Sequence, residues 1–334
     1  MSQKKTALLN ARKTPRFAGI STFCRVPRLE DVAPENSPVD WAIYGVPFDS
    51  GVTYRPGARF GPRAIRDASQ YVKPYSVEHG INIAEWLSIA DAGDSPVRPF
   101  DCEENARTVT EFALSVGDAG STKLFAVGGD HSIAYANIKA TWERRGRPPG
   151  GLALIHFDSH LDTVDQTMGE RWSHASPFIR AIEAGCINPR KMLSIGIKGP
   201  LNTGDDLNYA AEHGVTIVTY EDWSQRDGQA RIAQFLRGLG DAETYLTFDI
   251  DCIDPAYAPG TGTPSIGGFT SAEALRLIRD LAGEEGRGGI NLVGADVVEV
   301  LPDRDVAEIT ALLAGHIIFE VLCLDAVRRR ASAG

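Results

Sequence analysis

Three short stretches of this 334-residue chain gather carboxylates and imidazoles at spacings suited to metal-assisted hydrolysis. The apolar run Leu124 to Val127 leads into GGDHS, placing Asp130 and His131 just beyond a strand. Leu152 to Phe157 leads into DSHLD, with Asp158, His160 and Asp162 at i, i+2 and i+4, which in extended chain points all three side chains to one side. A third run ends at Phe248 and delivers Asp249 and Asp251 at the same two-residue spacing, followed by Asp254-Pro255 and the loop AYAPGTGTPSIGG. Aspartate and glycine crowd strand ends as turn formers, but two histidines and four aspartates cannot be buried together unless cations neutralise them. Four carboxylates balance two divalent ions, and a nitrogen and oxygen set without sulfur suits manganese, with nickel, cobalt and zinc as alternatives. Two such ions roughly 3.5–4 Å apart can share one water and lower its pKa toward neutrality. With that hydroxide in place the site is net negative, which a guanidinium would neutralise.

Groups at three strand ends converge only if the strands lie side by side. Apolar runs of strand length occur at Trp41 to Val46, Trp86 to Ile89, Leu124 to Val127, Leu152 to Phe157, Met192 to Ile197, Val215 to Val218, Tyr245 to Phe248 and Asn291 to Val297. Segments long enough for helices separate them, for example Glu104 to Val116, Glu273 to Ala282 and Ile309 to Val327. Strands alternating with helices imply a parallel sheet, since parallel neighbours need crossovers. The expected fold is a three-layer α/β/α domain with about eight central strands and its ligands at the carboxyl edge. No repeat or linker divides the chain, so residues 1–334 are expected to form one domain, with residues 1–38 as an N-terminal extension packed on it.

The composition, 43% apolar and 23% charged, is that of a soluble globular enzyme. A net charge of −10 excludes a phosphate-backbone partner. The basic N-terminus lacks a secretory apolar core, and no stretch is expected to approach the roughly 20 apolar residues that a bilayer span requires, so a cytoplasmic protein without membrane contact is expected. The five scattered cysteines (Cys24, Cys102, Cys186, Cys252, Cys323) suggest reduced thiols, with Cys252 as a packing residue.

GGDHS, HFDSHLD and TFDIDCIDPAYAPGTGTPSIGG, together with GVPFDSGVTYRPGARFGPRAIR (Gly45 to Arg66) and GADVVEVLP (Gly294 to Pro302), resemble the signatures of the ureohydrolase family of arginases, agmatinases and guanidinobutyrases. The resemblance spans nearly the whole chain and points to the agmatinase branch. It implies that His131 and Asp162 hold one metal, that His160 and Asp251 hold the other, and that Asp158 and Asp249 bridge both. It also implies that Glu299 pairs with the substrate guanidinium, a role that fits the fork-to-fork match of carboxylate and guanidinium, and that His174 shuttles protons toward the leaving amine. Asp296 is expected to support the site from behind, and His156 to be a satisfied core histidine.

The chain departs from the family at HASPF, His174 to Phe178, where HGTPF is usual, so Ala175 and Ser176 are expected to alter the floor of the substrate channel. Val164 stands where arginases carry an asparagine that reads the amino-acid end of arginine, which disfavours arginine as substrate. Trp172 is expected either to wall the pocket, its indole attracting a cationic guanidine, or to pack. The expected reaction is hydrolysis of a small cationic guanidino compound, such as agmatine or 4-guanidinobutyrate, to urea and an amine. Free or alkylated guanidine, or a biguanide, is the alternative substrate class. A non-catalytic subunit and a mononuclear zinc enzyme of deacetylase type are the competing readings. The family implies a homo-oligomer, trimer or hexamer, with assembly alongside a paralogue as the alternative.

Overall fold

A computed structural model describes residues 12–283 and 289–333. Residues 1–11 of the expected N-terminal extension lie outside the described residues. Eight strands form one sheet: β1 Trp41–Val46, β2 Ile89–Asp94, β3 Lys123–Gly128, β4 Leu152–Phe157, β5 Ile187–Ile197, β6 Thr216–Thr219, β7 Glu243–Asp249 and β8 Asn291–Val298. Their order is β2-β1-β3-β8-β7-β4-β5-β6, and every pairing is parallel.

Successive side chains point to opposite faces, and both faces are covered, which is why the central strands read as unbroken apolar runs. On one face Trp41, Ile43, Phe125, Val127, Ile155 and Phe157 pack beneath helices Gly61–Ala68, Arg226–Leu239, Ser271–Asp280 and Ile309–Ala333. On the other, Ala42, Tyr44, Leu124, Ala126, Leu152 and Leu154 meet helices Cys102–Ser115, Ile133–Arg144 and Pro177–Glu183. The three-layer expectation therefore holds, with eight strands. Part of the N-terminal extension enters the first core: Phe23, Cys24 and Val26 are buried, and the Phe23 amide donates to Asp91 Oδ2 at 3.1 Å.

Local signals account for the shifted boundaries. Helix Cys102–Ser115 starts where the Asp101 carboxylate accepts the Glu104 amide, and Thr270 forms a reciprocal capping box with Glu273. The strand expected at Trp86 to Ile89 begins only at Ile89. Residues Ile83–Glu85 form a 3-10 turn capped by Asn82, and β2 is an edge strand whose polar Asp91 and Asp94 interrupt the apolar run. Another correction concerns the C-terminal segment. Ile309–Ala333 is long and apolar enough to cross a membrane, contrary to expectation, yet most of its apolar length is buried inside the protein, as a core helix requires.

The register sets the site. Val298 of β8 lies opposite Asp249 of β7, Phe248 opposite Phe157 of β4, and Val297 opposite Val127 of β3. Four adjacent central strands, β3-β8-β7-β4, thus end at one level, and the residues after those ends are brought together.

Candidate metal centre

His131, on the turn between β3 and helix Ile133–Arg144, directs Nδ1 to within 3.0 Å of Asp158, 2.9 Å of Asp162 and 3.3 Å of Asp249. His160 places Nδ1 3.1 Å from Asp251 Oδ2 and 3.4 Å from Asp158 Oδ1. Asp158 turns Oδ2 toward the first histidine and Oδ1 toward the second, so it stands between two ligand sets. Asp249 turns only Oδ2 to His131, because Oδ1 accepts the Asp251 amide at 2.8 Å. All six residues expected as ligands converge.

The convergence does not come from strand alternation. Residues 158–162 lie in a turn beyond β4, with Asp162 at φ 52°, and Ile250–Cys252 form a 3-10 turn whose Asp251 amide is capped by Asp249. Glu299 is likewise left-handed at φ 64°. Backbone of this kind in non-glycine residues costs about 1–3 kcal/mol and persists only where the surroundings impose it.

Hydrogen bonding behind His131 fixes which nitrogen is free. Thr247 Oγ1 donates to Asp296 Oδ1 at 2.5 Å, so its lone pair accepts from His131 Nε2 at 2.9 Å. Tyr245 also donates to Asp296 at 2.6 Å, and Asn137 bridges Tyr44 and Tyr245. With the proton on Nε2, Nδ1 presents a lone pair among three carboxylates, and this buried atom has no hydrogen-bond partner. An unprotonated imidazole nitrogen ringed by carboxylates fits a divalent ion. Asp296 supports the site from behind, as the sequence suggested. His156 is fully buried, with Nδ1 on Ser194 at 3.1 Å and Nε2 on Asp158 Oδ2 at 2.8 Å. It is a satisfied core residue that also orients the central carboxylate.

The electrostatics of the cluster reflect the same crowding of charge. Burial, then Asp251 and Asp158, push Asp249 well above the usual carboxylate range, and burial with Asp158 raises Asp162. Burial would raise Asp158 too, but the imidazoles of His131, His156 and His160 that face it outweigh burial and hold it well below. His131 and His160 are raised well above their ordinary value against the opposing effect of burial, because carboxylates surround them. Carboxylates and imidazoles packed this closely shift one another in the directions their charges dictate.

Glu299, 1% exposed, begins immediately beyond β8. Its Oε1 accepts the His131 amide at 2.9 Å and meets His174 Nδ1 at 2.9 Å, whereas Oε2 is buried without a partner among the described residues. The backbone of Gly262 passes over Oε2: a Cβ there would lie 3.7 Å from it and 2.9 Å from the Arg55 carbonyl. His174 Nε2 faces both the Thr53 amide at 3.0 Å and the Thr53 hydroxyl at 2.8 Å. The amide suits the neutral ring and the hydroxyl can accept from the imidazolium. Against the lowering effect of burial, Glu299 lifts His174 to about 9. Burial and then Glu299 raise Asp130, which is capped by the Gly51 and Ser132 amides, to about 7.

The remaining candidates lie around this centre. Ser176 is buried, its hydroxyl donating to Arg171 O at 2.8 Å and accepting the Ser173 amide at 3.0 Å, contacts that close its own loop. The Ala175 carbonyl accepts the Val164 amide at 3.0 Å, tying this segment to the loop that carries Asp162. Phe178 packs edge-on against His131 at 5.2 Å and against His156 at 4.4 Å. Trp172 meets Tyr135 in a T-shaped contact at 5.0 Å within the second core, which is packing geometry. Cys252 is fully buried, its thiol pushed well up by burial, and all five cysteines are free. Thr53, Thr247, Ser194 and Lys198 were missed by sequence reasoning. Only Thr247, two residues before Asp249 on the same strand face, carried a readable signal.

Residues 39–324 match the model of the arginase family. The guanidinopropionase of Pseudomonas aeruginosa is 41% identical, with 100% of both chains covered, and the guanidinobutyrase of the same organism is 36% identical over 96% of this chain and 98% of its own. Among solved structures, the proclavaminate amidinohydrolase of Streptomyces clavuligerus superposes with a TM-score of 0.83 at 36% identity, covering 94% of this chain and 100% of that one.

Proposed function

We propose, from the premise that this chain belongs to the arginase family, how its residues divide the work of a guanidino hydrolase. The protein is a ureohydrolase-type enzyme that cleaves a guanidino C–N bond. In our reading, His131 and Asp162 hold one divalent ion, His160 and Asp251 hold the other, and Asp158 and Asp249 serve both. Manganese is favoured by the hard carboxylate-rich set, with nickel as the alternative. When bound, the ions supply an activated water and a positive field.

The protein's own residues bind and orient. Glu299 Oε2 receives the substrate guanidinium, and its buried, partnerless state is the single observation that carries this assignment. His174, hydrogen-bonded to the same carboxylate, holds the proton that the departing amine needs, and Thr53 supports it in either protonation state. Gly262 keeps the approach to Oε2 open. The full ligand set argues against a non-catalytic subunit, and its two histidine-centred halves argue against a single-zinc enzyme.

As substrate we favour a small linear guanidino compound with a short tail, the class named by guanidinopropionase and guanidinobutyrase. A single-domain chain, a cytoplasmic location and a homo-oligomer of three or six copies belong to the same proposal. The test is urea release by manganese- or nickel-loaded protein from 3-guanidinopropionate, 4-guanidinobutyrate, agmatine, arginine and free guanidine, with metal counted per chain. Turnover of the linear acids ahead of arginine and guanidine supports the reading. Preferential turnover of free guanidine overturns it.

A further inference from the structure

Lys198, one residue past the end of β5, has no assigned part in the site, yet its ammonium reaches two of the ligand loops. Nζ donates to Asp251 O at 2.9 Å, to Cys252 O at 3.4 Å and to Ser159 Oγ. Its own amide donates to Ser159 O at 3.1 Å. Ser159, between Asp158 and His160, in turn donates Oγ to Asp251 O at 2.7 Å and its amide to Asp251 Oδ1 at 3.1 Å. One cation therefore joins the loops after β4, β5 and β7, and it touches the backbone of two proposed ligands or their neighbours without touching a metal-facing atom.

Two further observations show that the arrangement is built. A glycine clears its space: a Cβ at Gly268 would come 2.6 Å from Lys198 Cε and 2.5 Å from the Cys252 carbonyl that Lys198 Nζ contacts. Moreover, no carboxylate forms an ion pair with Lys198 among the described residues. Its donors go to a hydroxyl and two carbonyls. A lysine that lacks its own counter-ion beside a cluster of aspartates is a fixed positive charge at the back of the cluster, and fixing the Asp251 carbonyl fixes where the Asp251 carboxylate points.

We propose that Lys198, acting through Ser159 and the Asp251 backbone, is a positioning residue that selectively holds the ion of the His160 and Asp251 set. This rests on the two-ion reading above. Outer contacts of this kind are typically worth about 10–100-fold in metal affinity. The ion of the His131 and Asp162 set, oriented through Thr247 and Asp296 on the far side, should be indifferent.

The test compares full-length wild type with Lys198→Met, Lys198→Arg and Ser159→Ala, using manganese alone as the probe. Affinities come from competition with a chelator, and the spin-coupled resonance of a manganese pair is distinguished from the signal of an isolated ion. Lys198→Met should bind one ion as wild type does and the other about 10–100-fold more weakly, so that the isolated-ion signal replaces the coupled one at limiting metal. Lys198→Arg should restore most of the difference, and Ser159→Ala should shift it less in the same direction. If Lys198→Met does not fold, the other two variants carry the test. Wild-type affinity for both ions in the variants overturns the proposal, as does equal weakening of both, which would mark a general staple. A wild-type protein that binds one ion or none overturns the two-ion reading itself.

Discussion

Replacing Glu299 by glutamine tests the substrate anchor, because the structure dictates how the new amide must sit. Oε1 accepts two donors, the His131 amide at 2.9 Å and His174 Nδ1 at 2.9 Å, so the glutamine carbonyl oxygen must occupy that position. The amide NH2 then takes the place of Oε2 and points donors at a guanidinium that has only donors to offer. Glu299→Gln thus keeps the shape, removes the charge and inverts the hydrogen-bonding sense. Breaking a buried charge pair costs about 3–5 kcal/mol, which corresponds to roughly 10²–10⁴ in kcat/KM. Glu299 holds no proposed metal, so ion content should remain at the wild-type level. Steady-state urea release with 3-guanidinopropionate or 4-guanidinobutyrate, beside elemental analysis of the same samples, reads both quantities. Loss of less than tenfold in kcat/KM with metal intact would refute the anchor. Loss of metal would show that the carboxylate acts through the His131 amide instead.

Other expectations follow from the same geometry. Asp158→Asn should strip both ions and abolish turnover, since Asp158 faces both histidines, whereas His131→Ala should retain about half the metal; equal content in the two variants would contradict the division of ligands. His174 is raised to about 9, so its stabilising contact with Glu299 is fully present below about 6.5 and fades as pH climbs through about 9. Metal-free wild type should accordingly lose up to about 3 kcal/mol more stability than His174→Asn between pH 6.5 and 9.5, and parallel denaturation curves for the two would disprove it. Ser176→Ala should cost about 1–3 kcal/mol by leaving buried partners in the Arg171 to Ser173 turn unsatisfied, read by denaturant titration. A change in substrate ranking without loss of stability would return Ser176 to the channel floor.

The amino-acid pattern disclosed the architecture and the ligand types for identifiable reasons. Central strands buried on both faces advertise themselves as apolar runs, and the proposed ligands are bunched directly behind three of them. What the pattern hid was conformation and long-range contact. Nothing local announces that Asp162 and Glu299 turn left-handed, or that the Ser176 hydroxyl folds back onto Arg171. Lys198 and Thr53 are separated from their partners by 53 and 121 positions, and each reads alone as an ordinary surface residue. Edge strand β2 was misplaced because half-exposed strands lack the continuous apolar signature of central ones.

The strand order has a consequence for how the protein comes into being. β8, the last strand made, sits between β3 and β7. A chain that has emerged only as far as residue 290 can assemble β2-β1-β3 and β7-β4-β5-β6 as separate leaves, each with a raw hydrogen-bonding edge facing the gap. Such edges invite pairing with other chains, and closure must await contacts distant in sequence, which slows folding. The second leaf already carries Asp158, His160, Asp162, Asp249 and Asp251, the first contributes His131, and Glu299 arrives on the strand that zips them together. All six proposed ligands are therefore synthesised before β8, whereas Glu299 is in place only once that last strand is. The strand that carries Glu299 is thus the one whose arrival joins the two leaves into a single sheet.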